Sequence, residues 1–257
     1  MQRNDYNKQI QLDDKLIVNI KSNPILGDIN FSLDKGIIAF LSGKNGSGKT
    51  TLLKEIAGIN ENDKMSEKIG FFLNNFNLNL SDQTVLSHLI IPLEMLQREN
   101  PCQTAINILK ELKIEHLMHK KIIELSYSQK KMVSFAYSVI HNPNIILIDN
   151  LFDSLGYEMK EAVIKFLIKL KEEKNAIVIY TSNNKEDIFF SDITIVLNNC
   201  KLSIVSTTLD ILQDEKKISK LTIPIPFMVE LSYKLKLYGL VNDLILSQQK
   251  MVDELWK

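Results

Sequence analysis

The octapeptide Gly43-Lys44-Asn45-Gly46-Ser47-Gly48-Lys49-Thr50 satisfies the spacing G-x-x-x-x-G-K-[ST] at every position. Backbone N–H groups that converge on an anion need glycine wherever a Cβ would block close approach. Upstream, Ile37 to Ser42 is a short apolar run that reads as a strand. Downstream, Thr50 to Ala57 suits a helix that stops at Gly58. Strand, glycine-rich loop and helix follow in the order that aims the positive end of a helix at phosphate. Lys49 would then reach the β- and γ-phosphates, and the Thr50 hydroxyl would ligate Mg²⁺. The G-x-G-x-x-G spacing of a dinucleotide site is absent, so the loop predicts nucleoside triphosphate binding by residues Gly43 to Thr51.

Further out, the chain alternates apolar runs with helical periodicity. Leu16 to Ile20, Ile29 to Leu33, Ile69 to Leu73, Ile145 to Ile148, Ala176 to Tyr180 and Ile193 to Leu197 read as strands. Thr84 to Ala136 is helical in pattern, with Asn100-Pro101 as an N-cap and first-turn proline pair. Tyr157 to Lys171 is a second helix, with Val163, Phe166, Leu167 and Leu170 on one face. The tail after Asp210 is helical and broken at Pro224 and Pro226. The expected class is α/β: a mostly parallel sheet, antiparallel N-terminal strands, a helical insertion subdomain and a helical C-terminal extension. The boundaries expected are 1–209 for the nucleotide-binding domain, with its helical subdomain at about 76–141, and 210–257 for the extension. Asp149 closes the apolar run Ile145 to Ile148, and a carboxylate at the end of a buried strand is the second element a Mg²⁺–triphosphate site needs.

Composition narrows the classes. The 257 residues carry 31 Lys+Arg against 31 Asp+Glu, which argues against nucleic-acid binding by bulk electrostatics. Two cysteines exclude a disulfide scaffold and point to a reducing compartment. No segment approaches the ~20 apolar residues of a membrane span, and the polar stretch Met1 to Asp14 does not read as a signal peptide. Only nine glycines occur, where an average chain of this length would carry about 18. Three of the nine crowd into Gly43, Gly46 and Gly48.

The phosphate loop, the Asp149 strand and the helical stretch between them resemble an ABC-type ATPase. Leu125-Ser126-Tyr127-Ser128-Gln129 is similar to a worn L-S-G-G-Q signature and lies where that family places it, starting a helix just before the Asp149 strand. The resemblance runs from about Leu16 to Ser206. The tail, with Ile223-Pro224-Ile225-Pro226-Phe227 and a final Glu254-Leu255-Trp256-Lys257, resembles the C-terminal extension of the energy-coupling-factor branch, which serves cobalt and vitamin uptake. The resemblance implies an ATP-binding subunit with ATP and Mg²⁺ as ligands. It implies a cytoplasmic position on the inner face of the membrane, reached through polytopic partners, and head-to-tail pairing with a second ATPase subunit. Lys49 and Asp149 would be the catalytic pair, Thr50 and Asp149 the Mg²⁺ ligands, and Ser126, Ser128 and Gln129 the contacts to the partner's nucleotide.

Departures from the family pattern shape the expectation. Asn150 stands where the family places the general-base Glu, and an amide accepts no proton at neutral pH. Ser182 replaces the switch His, and Tyr127 and Ser128 replace both signature glycines; Asn74 replaces a Gln and, one methylene shorter, is still expected among the ATP-binding residues. Gly156 ends the loop from Asp153 where Asp is common, and no Tyr or Phe lies between Ile17 and Leu26 to stack on adenine. A homodimer would carry Asn150, Ser182 and Tyr127 in both sites, so the expectation is a heterodimer in which this chain mainly binds ATP. The alternatives are an inactive ATP-binding scaffold or regulatory subunit, and an exporter ATPase for drugs or bacteriocins. His116 and His119 read as a solvated face, His88 and His141 as non-catalytic, and Cys102 and Cys200 as isolated thiols. Phe71-Phe72 reads as core, and Lys171 to Lys174 as a solvated helix end.

Overall fold

The computed structural model describes residues 7–21, 23–58, 68–74, 82–221, 223 and 225–256. An antiparallel sheet opens the chain: β1 (Asn7–Leu12), β2 (Lys15–Lys21) and β3 (Ile29–Asp34). Leu16, Val18 and Ile20 of β2 alternate with exposed or half-exposed neighbours, as do Ile29, Phe31 and Leu33 of β3, so each strand buries one face. β1 falls in the polar stretch Met1 to Asp14, which the sequence pattern does not mark as a strand. It pairs with β2 along its whole length, from Asn7 opposite Lys21 to Leu12 opposite Leu16. Only Ile10 and Leu12 are apolar there, too few to announce an edge strand.

The second sheet has six strands in the order β5-β6-β7-β4-β8-β9. These are β4 (Ile38–Ser42), β5 (Ile69–Phe72), β6 (Ile145–Asp149), β7 (Ile177–Thr181), β8 (Ile193–Asn198) and β9 (Lys201–Thr207). All neighbours run parallel except β8 and β9, which form a hairpin. β4 to β7 are buried at every residue, which is why they read as continuous apolar runs rather than alternating ones. Successive residues still feed opposite sides of the sheet. Ile38, Phe40, Ile146 and Ile148 join one core cluster, while Ala39, Leu41, Ile145 and Leu147 join the other. The second cluster holds α1 (Lys49–Ala57) and the antiparallel sheet.

The first cluster holds the helices α2 (Val85–Met95), α3 (Pro101–Glu111), α4 (Tyr127–Val139) and α5 (Tyr157–Lys174). Asn100 precedes Pro101 as expected, but its φ is 52° and its side chain makes no cap bond, so the proline alone sets the first turn. α5 runs one turn past the expected Lys171 and ends at Asn175, whose left-handed backbone donates to the Leu170 carbonyl. Lys171 is not simply solvated: its ammonium lies 2.6 Å from Asp192, which also accepts the Ile38 N–H at 2.8 Å. The tail forms α6 (Thr208–Leu212), α7 (Glu215–Leu221), α8 (Phe227–Leu237) and α9 (Gln248–Leu255). Met228, Val241 and Met251 give it a small core of its own. Pro226 directly precedes α8, and Pro224 lies outside the described residues.

Gly70 marks where α4 presses onto β5. A Cβ there would fall 2.4 Å from the Ser138 carbonyl oxygen and 2.7 Å from Pro143 Cγ. Both neighbours are held by helix and turn, so Gly70→Ala is predicted to destabilise the fold by about 1–3 kcal/mol in urea unfolding.

Candidate functional site

The loop between β4 and α1 is shaped by glycines that no other residue could replace cheaply. Gly43 has φ 152°, and a Cβ on it would meet both the Leu197 carbonyl oxygen and Ser47 Oγ at 2.5 Å. Gly48, the N-cap of α1, has φ 92°, and its Cβ would stand 2.7 Å from Leu26 Cδ2. The loop closes with the Ser47 N–H donating to the Lys44 carbonyl at 3.0 Å. Lys49 folds its ammonium back over the loop, donating to the carbonyls of Gly43 at 2.6 Å and Lys44 at 3.0 Å. Burial lowers the pKa of that ammonium, and the charge of Asp149 opposes the shift.

Asp149 stands at the end of β6, 5% exposed, with both carboxylate oxygens engaged. Thr50 Oγ1 donates to Oδ2 at 2.9 Å, and Thr181 Oγ1, at the end of β7, donates to Oδ1 at 2.9 Å. The Thr181 oxygen in turn accepts the Asn150 N–H at 3.0 Å. Strand pairing makes this possible, because Asp149 lies opposite Thr181 in the parallel register. A hydroxyl and a carboxylate in contact, both hard oxygen donors beside a phosphate-binding loop, fit Mg²⁺. Asn150 itself has φ 52°, a left-handed conformation that Asn tolerates better than Glu does.

The residues expected to contact a partner's nucleotide are engaged within this chain. Ser126 Oγ accepts the Gln129 N–H at 3.3 Å and the Gln129 side chain accepts the Ser126 N–H at 3.0 Å, a capping box that starts α4. Ser128 Oγ donates to the Ser154 carbonyl at 2.7 Å, tying α4 to the loop after β6. Tyr127 is 65% exposed, and the ammonium of Lys131 lies 4.8 Å from its ring centroid. The same ammonium, on a buried side chain, donates to Asn74 Oδ1. Ser182 donates to Asp187 at 2.5 Å and lies 3.0 Å from Asp153. Beneath it Tyr180 stacks on Phe190 at 4.2 Å and donates its hydroxyl to the Asp187 carbonyl, and burial pushes its phenol well above the usual range.

A cavity of about 240 Å³ opens above the loop. Asn45, Gly46, Gly48, Lys49, Thr50 and Thr51 line it, with Asn150 at one side. Asn74, Ser126, Ser128 and Gln129 lie outside that lining. Two lining residues were not among the sequence candidates: Ile25 and Cys200. Cys200 Sγ stands 3.7 Å from the Gly46 carbonyl, because Asn199 and Cys200 turn the β8–β9 hairpin with φ of 48° and 59°. The strands on either side were the available signal, but β9 alternates weakly and hides the turn.

Of the residues set aside, Phe71 and Phe72 are buried, and His88 is half-buried, stacked on Tyr137 with ring centroids 4.8 Å apart; its partial burial lowers its pKa. Among the described residues no group of three His, Cys, Asp or Glu could hold a metal ion, and no helix is long and apolar enough to cross a membrane.

Comparison with known proteins bears on the family and the fold. Residues 26–153 match the ABC transporter family. A Clostridium perfringens protein named as an ABC transporter ATP-binding protein is 27% identical over 236 residues, 84% of this chain but 42% of its own length, so the chain spans less than half of that relative. The energy-coupling factor transporter ATP-binding protein EcfA1 of Ureaplasma parvum is 23% identical over 275 residues, covering 99% of this chain and 93% of that one. In fold, the chain is similar to cbiO1 of Clostridium perfringens, described as part of the ABC transporter complex cbiONQ. The TM-score is 0.65 at 20% identity, over 80% of this chain and 91% of that one.

The junction at Asp149 predicts a measurable dependence on one hydroxyl. Thr181→Val keeps the volume but leaves the Asn150 N–H and one Asp149 oxygen without their partner, at a cost of about 1–3 kcal/mol. Thr181→Ser should retain most of that stability, and urea unfolding of the two variants checks it.

Proposed function

The chain carries an ABC transporter ATP-binding domain, and on that footing we propose that it is the ATP-binding subunit of a transporter of the energy-coupling-factor type. The observation that carries the reading is the union of a complete phosphate loop with the Thr50–Asp149–Thr181 junction. The names of the relatives and the length over which EcfA1 aligns support the branch. In this reading residues 1–209 are the ATPase domain, with its helical subdomain at about 76–141, and 210–257 form the extension. The chain is cytoplasmic and sits on the inner face of the membrane through polytopic partners.

The triphosphate enters above the loop, where Lys49 exchanges its bonds to the Gly43 and Lys44 carbonyls for phosphate oxygens. The N–H groups of Gly46 to Thr51 and the positive end of α1 complete the cradle. Mg²⁺, held by Thr50 and Asp149, would neutralise charge on the β- and γ-phosphates. Hydrolysis then needs a group to take a proton from the attacking water. Asn150 cannot, and general-base help is typically worth about 10²–10⁴ in rate. We therefore assign this chain to the ATP-holding half of a heterodimer, whose partner supplies an intact base and faces Ser126 at the N-terminus of α4.

A second reading, a non-hydrolysing scaffold, is favoured by Asn74 and Ser128 being held by Lys131 and the Ser154 carbonyl. Two measurements separate the readings. The purified chain should bind ATP yet turn it over slowly, and Asn150→Glu should raise turnover by up to about 10²–10⁴, after allowing for about 1 kcal/mol of strain at a left-handed position. Fast turnover by the natural chain would defeat the assignment. In the assembled transporter, Lys49→Ala should abolish transport; transport that persists would establish the scaffold.

A further inference from the structure

α4 carries a buried cation that the phosphate loop does not account for. Lys131 lies one turn into the helix and is 7% exposed. An ammonium withdrawn from water ordinarily takes a carboxylate as its partner. Among the described residues none pairs with this one. It lies 4.8 Å from the centroid of the Tyr127 ring, one turn back on the same helix face, and it donates to Asn74 Oδ1.

Asn74 stands where the chain leaves β5. Phe72 pairs with Ile148 in parallel register, so Leu73-Asn74 and Asp149-Asn150 leave neighbouring strands side by side at one edge of the sheet. Asn74 is thus a neighbour of the Thr50–Asp149 pair, yet it takes no part in lining the cavity above the phosphate loop. The bond to Lys131 explains why. An ammonium has no lone pair, so the amide atom that faces it is the oxygen and not the nitrogen. That oxygen is the only side-chain atom of Asn74 able to ligate a cation. A metal ion placed on it as well would stand close to the ammonium in a buried setting, where like charges repel strongly.

We propose that Lys131 is a latch on Asn74: it takes the amide oxygen, ties α4 to the end of β5, and keeps Asn74 away from Mg²⁺, so that Thr50 and Asp149 hold the metal without it. The inference rests on the nucleotide-binding reading above and makes Lys131 a positioning residue, which acts through Asn74 and not on the nucleotide. A hydrogen bond from a charged donor is among the strong ones, the more so where water is excluded. Breaking this one leaves the ammonium with an aromatic face alone. Triphosphate and metal entering the loop therefore do not recruit Asn74, and α4 stays tied to β5 with nucleotide bound.

The test is equilibrium titration of the full chain with ATP, in Mg²⁺ and in EDTA, for the natural protein, Lys131→Met, and Lys131→Met combined with Asn74→Ala. Methionine keeps the unbranched stem and removes the charge. In Mg²⁺, Lys131→Met should bind ATP about tenfold more tightly, the effect of one bond to a charged group. In EDTA it should bind as the natural chain does, and the double variant should lose the gain. Unchanged affinity in Mg²⁺, or a gain that survives Asn74→Ala, overturns the latch and leaves the nucleotide reading standing. Urea unfolding reads the same bond without nucleotide. Asn74→Asp gives the ammonium a carboxylate, and should raise the unfolding midpoint in the natural background but not beside Lys131→Met. A midpoint that moves alike in both backgrounds overturns the latch. A natural chain that binds no ATP in either buffer overturns the nucleotide reading, and the unfolding comparison still decides the bond.

Discussion

One carboxylate joins the parts of this molecule that matter. Asp149 accepts a hydroxyl from α1 on one oxygen and a hydroxyl from β7 on the other. It therefore locks the helix behind the phosphate loop to two central strands of the sheet. A buried carboxylate is costly unless its lone pairs are filled. Here they are filled by threonines that the parallel register brings opposite and that the loop delivers at the first turn of α1. The aromatic bed of Phe40, Phe152, Tyr180 and Phe190 supports the end of β7 from below.

The two halves of the proposed site have been treated differently. On the phosphate-loop side the backbone geometry is complete, down to the left-handed glycines that would be strained with any Cβ. On the side expected to meet a partner, polar groups have turned inward. Gln129 closes a capping box, and Ser128 donates to the Ser154 carbonyl. Each of these bonds would have to be exchanged before the group could serve a second nucleotide, and that exchange costs roughly what the bond contributes, about 1 kcal/mol. The shortage of glycine sharpens into the same contrast, since Tyr127 and Ser128 stand where the family has two.

Much of this was legible in the sequence because it is local. The phosphate loop is eight consecutive residues, its flanking strand and helix are contiguous with it, and Asp149 follows an unbroken apolar run. The fully buried strands announced themselves as runs of Ile, Leu, Val and Phe. β1 did not, because an edge strand with two apolar residues pairs through its backbone and needs little from its side chains. The contacts that define the rest of the site join residues far apart in the chain: Lys131 with Asn74, Ser128 with Ser154, Ser182 with Asp153, and Cys200 with Gly46. No periodicity or spacing encodes them. Cys200 is the clearest case, since a thiol with no partner in sequence lies against the phosphate loop only because a hairpin turn carries it there.

The proposed function requires that this chain grip a triphosphate through its own loop. Equilibrium titration of the purified chain with ATP and Mg²⁺, beside the Lys49→Ala variant, tests it most directly. The natural chain should show saturable binding of one ATP per chain, which the variant loses. Binding that survives loss of the Lys49 ammonium, or a natural chain with no saturable binding, would contradict it.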